Sequence, residues 1–133
     1  MKLAIVDDNK LEQELIFNTL RTYEHERNIS LDISSYSDGN SFLNTYVPGD
    51  FDLIFMDIYL NELNGIDIVR KIRQMDSKVM IVFLTTSKEY IFEAAPFHFF
   101  DYILKPFVST QIFHVLDDAL APVSYTHLTL PTT

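Results

Sequence analysis

Short apolar runs alternate with longer segments of helical periodicity along the first 120 residues of the chain. Most of the runs are apolar almost throughout, which is typical of strands buried on both faces, and this alternation predicts a parallel sheet covered by helices. The run Leu31–Tyr36 instead alternates apolar and polar residues, so we expect it at an edge of the sheet. The predicted strands are Leu3–Val6, Leu31–Tyr36, Leu53–Met56, Val79–Leu84 and Tyr102–Leu104.

The segments between these runs predict five helices. The second is ended by Pro48 and Gly49, the third begins after Gly65, and the fifth follows Pro106. Pro96 should cut short a fourth helix around Glu89–Ala95, because proline disfavours helical continuation. The first helix is predicted over Lys10–His25, with an inward face formed by Leu11, Leu15, Ile16, Leu20 and Tyr23.

Five strands alternating with five helices predict an α/β fold, a doubly wound three-layer sandwich. Right-handed crossovers allow the flavodoxin-like strand order 2-1-3-4-5, in which the chain reverses direction across the sheet between strands 1 and 3. Ligands of such folds bind outside the carboxyl ends of the strands at this switch point. We therefore expect the functional residues there.

Composition limits the function classes. The 133 residues contain 10 Lys and Arg against 19 Asp and Glu, a net charge of −9, and no cysteine. Disulfide scaffolds and thiolate metal sites are excluded, and we expect a soluble cytoplasmic protein without a membrane segment. The acidic charge opposes direct nucleic-acid contact, because phosphate binding needs clustered Lys and Arg.

The end of the chain has a different character. Residues 122–133 contain two prolines, no Lys, Arg, Asp or Glu, and no helical periodicity. We interpret 1–121 as the domain and 122–133 as a disordered, non-native tail from adaptor read-through or a cloning scar. A genuine disordered tail is the alternative.

Three aspartates follow the two strands that flank the switch point. Asp7 and Asp8 come directly after the first strand, and Asp57 directly after the third. Since the carboxyl ends of parallel strands meet at one edge, the three carboxylates should converge and repel one another unless a cation relieves the repulsion. Mg²⁺ prefers such oxygen ligands, so the spacing predicts a magnesium site. Taken singly, each aspartate could equally be a turn former or a helix cap.

Two more strand ends add to this site. Thr85 offers a hydroxyl after the fourth strand, and Lys105 offers an ammonium after the fifth. A phosphoryl group on Asp57 would then meet a cation, an ammonium and a hydroxyl, which suits its equatorial oxygens.

The functional residues lie in five short motifs: Ile5-Val6-Asp7-Asp8-Asn9, Leu53-Ile54-Phe55-Met56-Asp57-Ile58, Asn64-Gly65, Phe83-Leu84-Thr85-Thr86 and Asp101-Tyr102-Ile103-Leu104-Lys105-Pro106-Phe107. In this order and spacing they resemble the receiver domain of bacterial two-component response regulators over about residues 1–120. The stretch Asp101–Phe107 further resembles LytTR-type receivers.

The resemblance implies a role for each matching residue. Asp57 is the expected phosphoacceptor for a phosphohistidine on a sensor histidine kinase. Phosphoryl oxygens would be bound by Thr85 and Lys105, the Lys105–Pro106 bond would be cis, and Tyr102 would be an aromatic switch partner of Thr85. Mg²⁺, or Mn²⁺ in its place, is the implied cofactor, with Asp8, Asp57, the main-chain carbonyl of Tyr59 and, through a water molecule, Asp7 as ligands.

The resemblance also implies a regulatory domain that catalyses only its own phosphorylation and dephosphorylation. The signal would leave through the fourth-helix, fifth-strand, fifth-helix face and control transcription through a DNA-binding domain missing from this chain. The aromatic segment 94–100 departs from the family pattern and is interpreted either as core packing or as an apolar homodimer face.

Two other functions fit part of the pattern. A haloacid-dehalogenase-type Mg²⁺ phosphatase also uses an aspartyl nucleophile, but in an Asp-x-Asp motif after the first strand, which Asp7-Asp8-Asn9 does not match. A phosphorylation-independent pseudoreceiver, acting as an interaction module, is the second alternative. The intact acidic trio and Lys105 argue against it.

Overall fold

The computed structural model describes residues 1–60 and 63–121, so the interpretation of 122–133 lies outside the described residues. Strands and helices alternate throughout. The strands are β1 Lys2–Val6, β2 Asp32–Tyr36, β3 Leu53–Asp57, β4 Met80–Thr85 and β5 Asp101–Leu104. The helices are α1 Lys10–Arg27, α2 Gly39–Thr45, α3 Gly65–Arg73, α4 Ile91–Ala94 and α5 Ser109–Leu120, with a 3-10 turn, Ala95–Phe97, directly after α4.

The strands form a parallel sheet in the order β2-β1-β3-β4-β5. This confirms the predicted fold class and the switch point between β1 and β3. Residues of β2 are exposed or half-buried, as expected of an edge strand, whereas every residue of β3 is buried.

The sheet is covered on both faces because successive strand residues point to opposite sides. Leu3 and Ile5 of β1 belong to the core under α1 and α5, whereas Ala4 and Val6 belong to the core under α2, α3 and α4. Both cores reach up to the carboxyl edge of the sheet. The strand ends that carry the candidate site are therefore fixed by packing on two sides.

The predicted inward face of α1 is wrong at two positions. Leu11 and Leu15 are 77% and 54% exposed, while Ile16, Leu20 and Tyr23 are buried. The buried face of α1 is formed by Gln13, Ile16, Thr19, Leu20 and Tyr23, and at about 3.6 residues per turn Leu11 and Leu15 lie to one side of that face. This leaves apolar side chains exposed beside the candidate site.

The fourth helix is a single turn, as Pro96 predicts. The segment continues as the 3-10 turn, and the guanidinium of Arg73 donates to the carbonyl oxygens of Phe97 and His98 at 2.7 and 2.6 Å. Phe97, Phe99 and Phe100 are half-buried against the two cores, which favours the core-packing interpretation of the aromatic segment. Phe92, which lies in α4 before this segment, is instead 89% exposed.

Candidate functional site

The carboxylates of Asp7, Asp8 and Asp57 meet at the switch point. One oxygen of each lies within 4.8 Å of the others, with Asp7 and Asp57 buried and Asp8 half-buried. Asp57 is the last residue of β3, while Asp7 directly follows β1, and its amide donates to the carbonyl of Tyr36 at 3.0 Å. Three carboxylates at this spacing fit a hard divalent cation such as Mg²⁺.

Lys105 lies against the trio. Its Nζ is 3.1 Å from Oδ2 of Asp7 and 3.4 Å from Oδ1 of Asp57, and its side chain is only 11% exposed. The amide of Lys105 donates to the carbonyl of Thr85 at 2.7 Å, which ties the end of β5 to the end of β4. The lysine ammonium therefore faces the carboxylate to which a phosphoryl group would be attached.

The protonation of the site follows from this crowding. Burial and then the charge of Asp7 raise the pKa of Asp57 to about 7, against the opposing effect of Lys105. Burial also raises the pKa of Asp7. Burial alone would lower the pKa of Lys105, but Glu12, Asp57 and Asp7 outweigh it, so this pKa lies above its ordinary value and the lysine stays charged.

Thr85 is the buried last residue of β4, and its hydroxyl oxygen accepts a hydrogen bond from the amide of Ser87 at 3.4 Å. Tyr102 is half-buried, and its hydroxyl donates to the carbonyl of Ser87 at 2.9 Å. The two residues of the predicted switch thus contact the same residue of the β4–α4 loop. The Lys105–Pro106 peptide bond is cis.

The loop after Asp57 is shaped by close backbone contacts. The amide of Tyr59 donates to Oδ1 of Asp57 at 3.3 Å, and the amide of Gly65 donates to the carbonyl of Ile58 at 2.8 Å. A Cβ at Gly65 would lie 2.1 Å from the carbonyl oxygen of Asp57, so only glycine fits there. This explains the Asn64-Gly65 pair seen in the sequence.

Two residues of α1 belong to the site although the sequence analysis did not select them. Glu12 forms a direct ion pair with Lys105, and the side-chain amide of Gln13 donates to the carbonyl of Asp7 at 2.8 Å and to the hydroxyl of Ser37 at 3.1 Å. The helix N-cap at Asn9 is the sequence signal that could have identified them. Asn9 starts α1 by accepting from the amide of Glu12, which puts both side chains in the first turn next to Asp7.

Comparison with known proteins decides the family. Residues 3–117 match the family described as response regulator receiver domain. The chain belongs to this family. Receiver domains are the phosphorylation-dependent switches of two-component systems, a regulatory fold that binds Mg²⁺ at an acidic pocket and interacts with histidine kinases.

The relatives of this receiver include transcriptional regulatory and sensory transduction proteins. It is 34% identical to protein MrkE of Klebsiella pneumoniae, over 87% of this chain and 42% of MrkE, and 32% identical to the transcriptional regulatory protein YpdB of Escherichia coli, over 84% and 44%. The sensory transduction protein LytT of Oceanobacillus iheyensis is 33% identical, in agreement with the LytTR-type resemblance. The receiver spans less than half the length of these relatives.

Solved receiver structures share its fold. The response regulatory domain of MrkE matches with a TM-score of 0.74 at 34% identity, covering 88% of this receiver and 93% of that domain. TrrA of Thermotoga maritima, solved in complex with Mg²⁺ and BeF, matches with a TM-score of 0.76 at 21% identity, covering 90% and 98%. Among residues 1–60 and 63–121, no helix of this receiver has the length and apolar character that crossing a membrane requires.

Proposed function

We propose that Asp57 of this receiver accepts a phosphoryl group from a phosphohistidine of a sensor histidine kinase, and that the resulting switch controls transcription. The observation that carries the proposal is the convergence of Asp7, Asp8 and Asp57 within 4.8 Å, with the Lys105 ammonium 3.4 Å from Asp57. This arrangement suits the charge that develops on a transferring phosphoryl group.

In this proposal, Asp8, Asp57 and the carbonyl of Tyr59 hold Mg²⁺ directly, and Asp7 acts through a water molecule. Both oxygens of Asp7 already have donors, the amide of Asn9 at 2.9 Å and Lys105 at 3.1 Å, which supports its indirect role. When bound, the cation offsets the repulsion between the carboxylates and the incoming phosphoryl oxygens. Mn²⁺ has the same ligand preference and can replace it.

The transfer itself needs one nucleophile and two groups that bind oxygen. An oxygen of the Asp57 carboxylate attacks phosphorus, a P–O bond forms, and the P–N bond breaks with its electron pair staying on the imidazole of the donor. Lys105 and the hydroxyl of Thr85 then donate to phosphoryl oxygens. The new group adds about −1.5 to −2 charge, which supplies the driving force for the switch.

The switch runs through Ser87. Thr85 accepts from the amide of Ser87, and Tyr102 donates to its carbonyl, so a Thr85 hydroxyl drawn to the phosphoryl group changes both contacts. Tyr102 lies in β5 and α4 follows the loop of Ser87, so the change reaches the α4, β5 and α5 face. We propose that this face mediates homodimerisation.

The donor protein must reach Asp57 from the open end of the sheet. Leu11 and Leu15 are exposed there, and Leu15, Pro106 and Phe107 line a groove of about 270 Å³ that opens beside Lys105. A kinase helix with apolar side chains could bury this surface while presenting its phosphohistidine.

The relatives suggest that the receiver controls transcription. YpdB is a transcriptional regulatory protein, and this receiver covers less than half of such a protein. A DNA-binding domain elsewhere in the parent protein would then contact the promoter, with no direct nucleic-acid contact by this acidic domain.

Incubation with Mg²⁺ and acetyl phosphate, followed by intact mass spectrometry, tests the phosphoacceptor. We expect an adduct of one phosphoryl group that depends on Mg²⁺, disappears in Asp57→Asn and persists in Asp50→Asn, a matched change at an exposed aspartate. Absence of the adduct in the unaltered protein under all conditions would instead indicate a pseudoreceiver.

A further inference from the structure

Lys105 is shared by three carboxylates. Besides Asp7 and Asp57, its ammonium contacts Glu12 Oε2, the first partner among those that raise its pKa. An ammonium has three N–H donors, so each carboxylate can take one. Lys105 can therefore bind Asp7, Asp57 and Glu12 at the same time.

Asp7 and Asp57 belong to the proposed magnesium site, whereas Glu12 does not. Glu12 sits in the first turn of α1 with its side chain 34% exposed, and it approaches Lys105 from the side of the helix. A cation bound by the aspartates would satisfy their charge but leave the Glu12 contact with Lys105 in place. A phosphoryl group on Asp57 would then have to compete with Glu12 for the same ammonium.

We propose that Glu12 is a positioning residue that holds Lys105 in the unphosphorylated state and competes with the phosphoryl group for it, which weakens the phosphorylated state. This rests on the proposed phosphoacceptor function. Glu12 acts in two ways, because its carboxylate occupies a hydrogen-bond donor of Lys105 and adds negative charge near the phosphoryl oxygens. It also draws the ammonium away from the metal-binding carboxylates, so its removal should hinder cation binding.

The test compares Glu12→Gln with Glu14→Gln. Glu14 is an exposed residue of the same helix, two positions on and therefore on a different face. Each substitution removes one negative charge, but only Glu12→Gln also removes the ion pair with Lys105. Isothermal titration calorimetry measures the binding of Mg²⁺ alone, and then of beryllofluoride, a phosphoryl analogue, at saturating Mg²⁺. The half-life of the phosphoryl adduct of Asp57 is followed by intact mass after acetyl phosphate is removed.

We expect Glu12→Gln to bind beryllofluoride roughly two- to fivefold more tightly and to keep its adduct longer, the range expected for losing a partly exposed ion pair. We also expect it to bind Mg²⁺ more weakly, with Glu14→Gln unchanged in both. A purely structural role of Glu12 would not shift the two affinities in opposite directions.

Two results would overturn the inference while leaving the phosphoacceptor function intact. Weaker beryllofluoride binding in Glu12→Gln would show that Glu12 prepares Lys105 for the phosphoryl group, and equal effects of both substitutions would reduce Glu12 to general surface charge. Failure of the unaltered protein to bind beryllofluoride or form an adduct would refute the proposed function, and with it the inference.

Discussion

At the scale of single residues, the buried charge of Asp57 is the feature with the widest consequences. The residue is 4% exposed and lies next to Asp7, and the pKa of its carboxyl group is raised to about 7. An unfolded aspartate has a pKa of about 3.9. At pH values between these two pKa values, Asp57 holds a proton in the folded protein that it has lost in the unfolded chain. The free energy of unfolding therefore falls as the pH rises from about 4 to about 7.

The substitution Asp57→Asn removes the pH-dependent destabilisation that comes from burying the ionised carboxylate. Without divalent cations, we expect the substitution to raise the melting temperature by at least about 3 °C near pH 8. In a domain of this size, a gain of about 1 kcal/mol in the free energy of unfolding corresponds to a few degrees. Near pH 4 to 5 the difference should shrink, because Asp57 is protonated there in the folded state. Thermal unfolding followed by circular dichroism in EDTA measures both, with Asp50→Asn as the exposed control. Equal shifts at the two pH values would contradict the prediction.

At the scale of elements, Arg73 compensates for the short α4. The helix ends early and its continuation is a single 3-10 turn, so the carbonyls of Phe97 and His98 need donors from elsewhere. Arg73, the last residue of α3, supplies both and also donates to the carbonyl of Asp76 at 3.3 Å. One side chain thus connects α3 to the segment that leads into β5 and Tyr102.

Arg73→Ala should release this segment. Loss of the hydrogen bonds of this charged, partly buried donor should lower the free energy of unfolding by at least about 2 kcal/mol, since even one such bond contributes roughly 1.5–3 kcal/mol. Arg70→Ala in the same helix removes only a half-exposed ion pair with Asp67 and should cost under about 1 kcal/mol. Urea denaturation gives both energies, and hydrogen exchange should accelerate across residues 97–101 in the first variant alone. Similar losses in both variants would argue that the Arg73 contacts contribute little.

At the scale of the whole molecule, the two sides of the sheet differ in how firmly the outer helices are held. The helix α5 is tied to α1 because Asp117 accepts from the hydroxyl of Tyr23 at 2.6 Å and pairs with Arg27 at 3.0 Å. On the other face, α4 is one turn long and carries the exposed ring of Phe92. A rearrangement caused by phosphorylation of Asp57 should therefore alter the α4 and β5 part of the α4, β5 and α5 face, while α5 itself stays held against α1.

The proposed homodimer can be tested at that face. We expect light scattering to show the mass doubling when Mg²⁺ and beryllofluoride are added. Phe92→Ser should stay monomeric under the same conditions because it removes the exposed aromatic ring. Val47→Ser changes another apolar side chain, 54% exposed in the α2–β3 connection, and should still dimerise. A monomer mass with and without beryllofluoride in the unaltered protein would refute the dimer.

The sequence by itself determined the layered fold and the position of the acidic trio. Apolar runs alternating with helical segments define a parallel sheet, and parallel strands bring their carboxyl ends to one edge, so Asp7 and Asp57 had to lie near each other. Pro96 shortened α4 for a local reason, the loss of a helical N–H.

Only the tertiary structure decided which neighbours each of these residues meets. Glu12 and Asp7, two of the partners of Lys105, are 93 and 98 residues away from it in sequence, and Arg73 reaches carbonyls 24 and 25 residues away. Apolar spacing placed Leu11 and Leu15 inward, whereas packing rotates α1 so that Gln13, Ile16, Leu20 and Tyr23 face the sheet and the two leucines lie at the side. Distances between separate elements are set by how the helices pack on the sheet, and the Glu12 contact with Lys105 is such a distance.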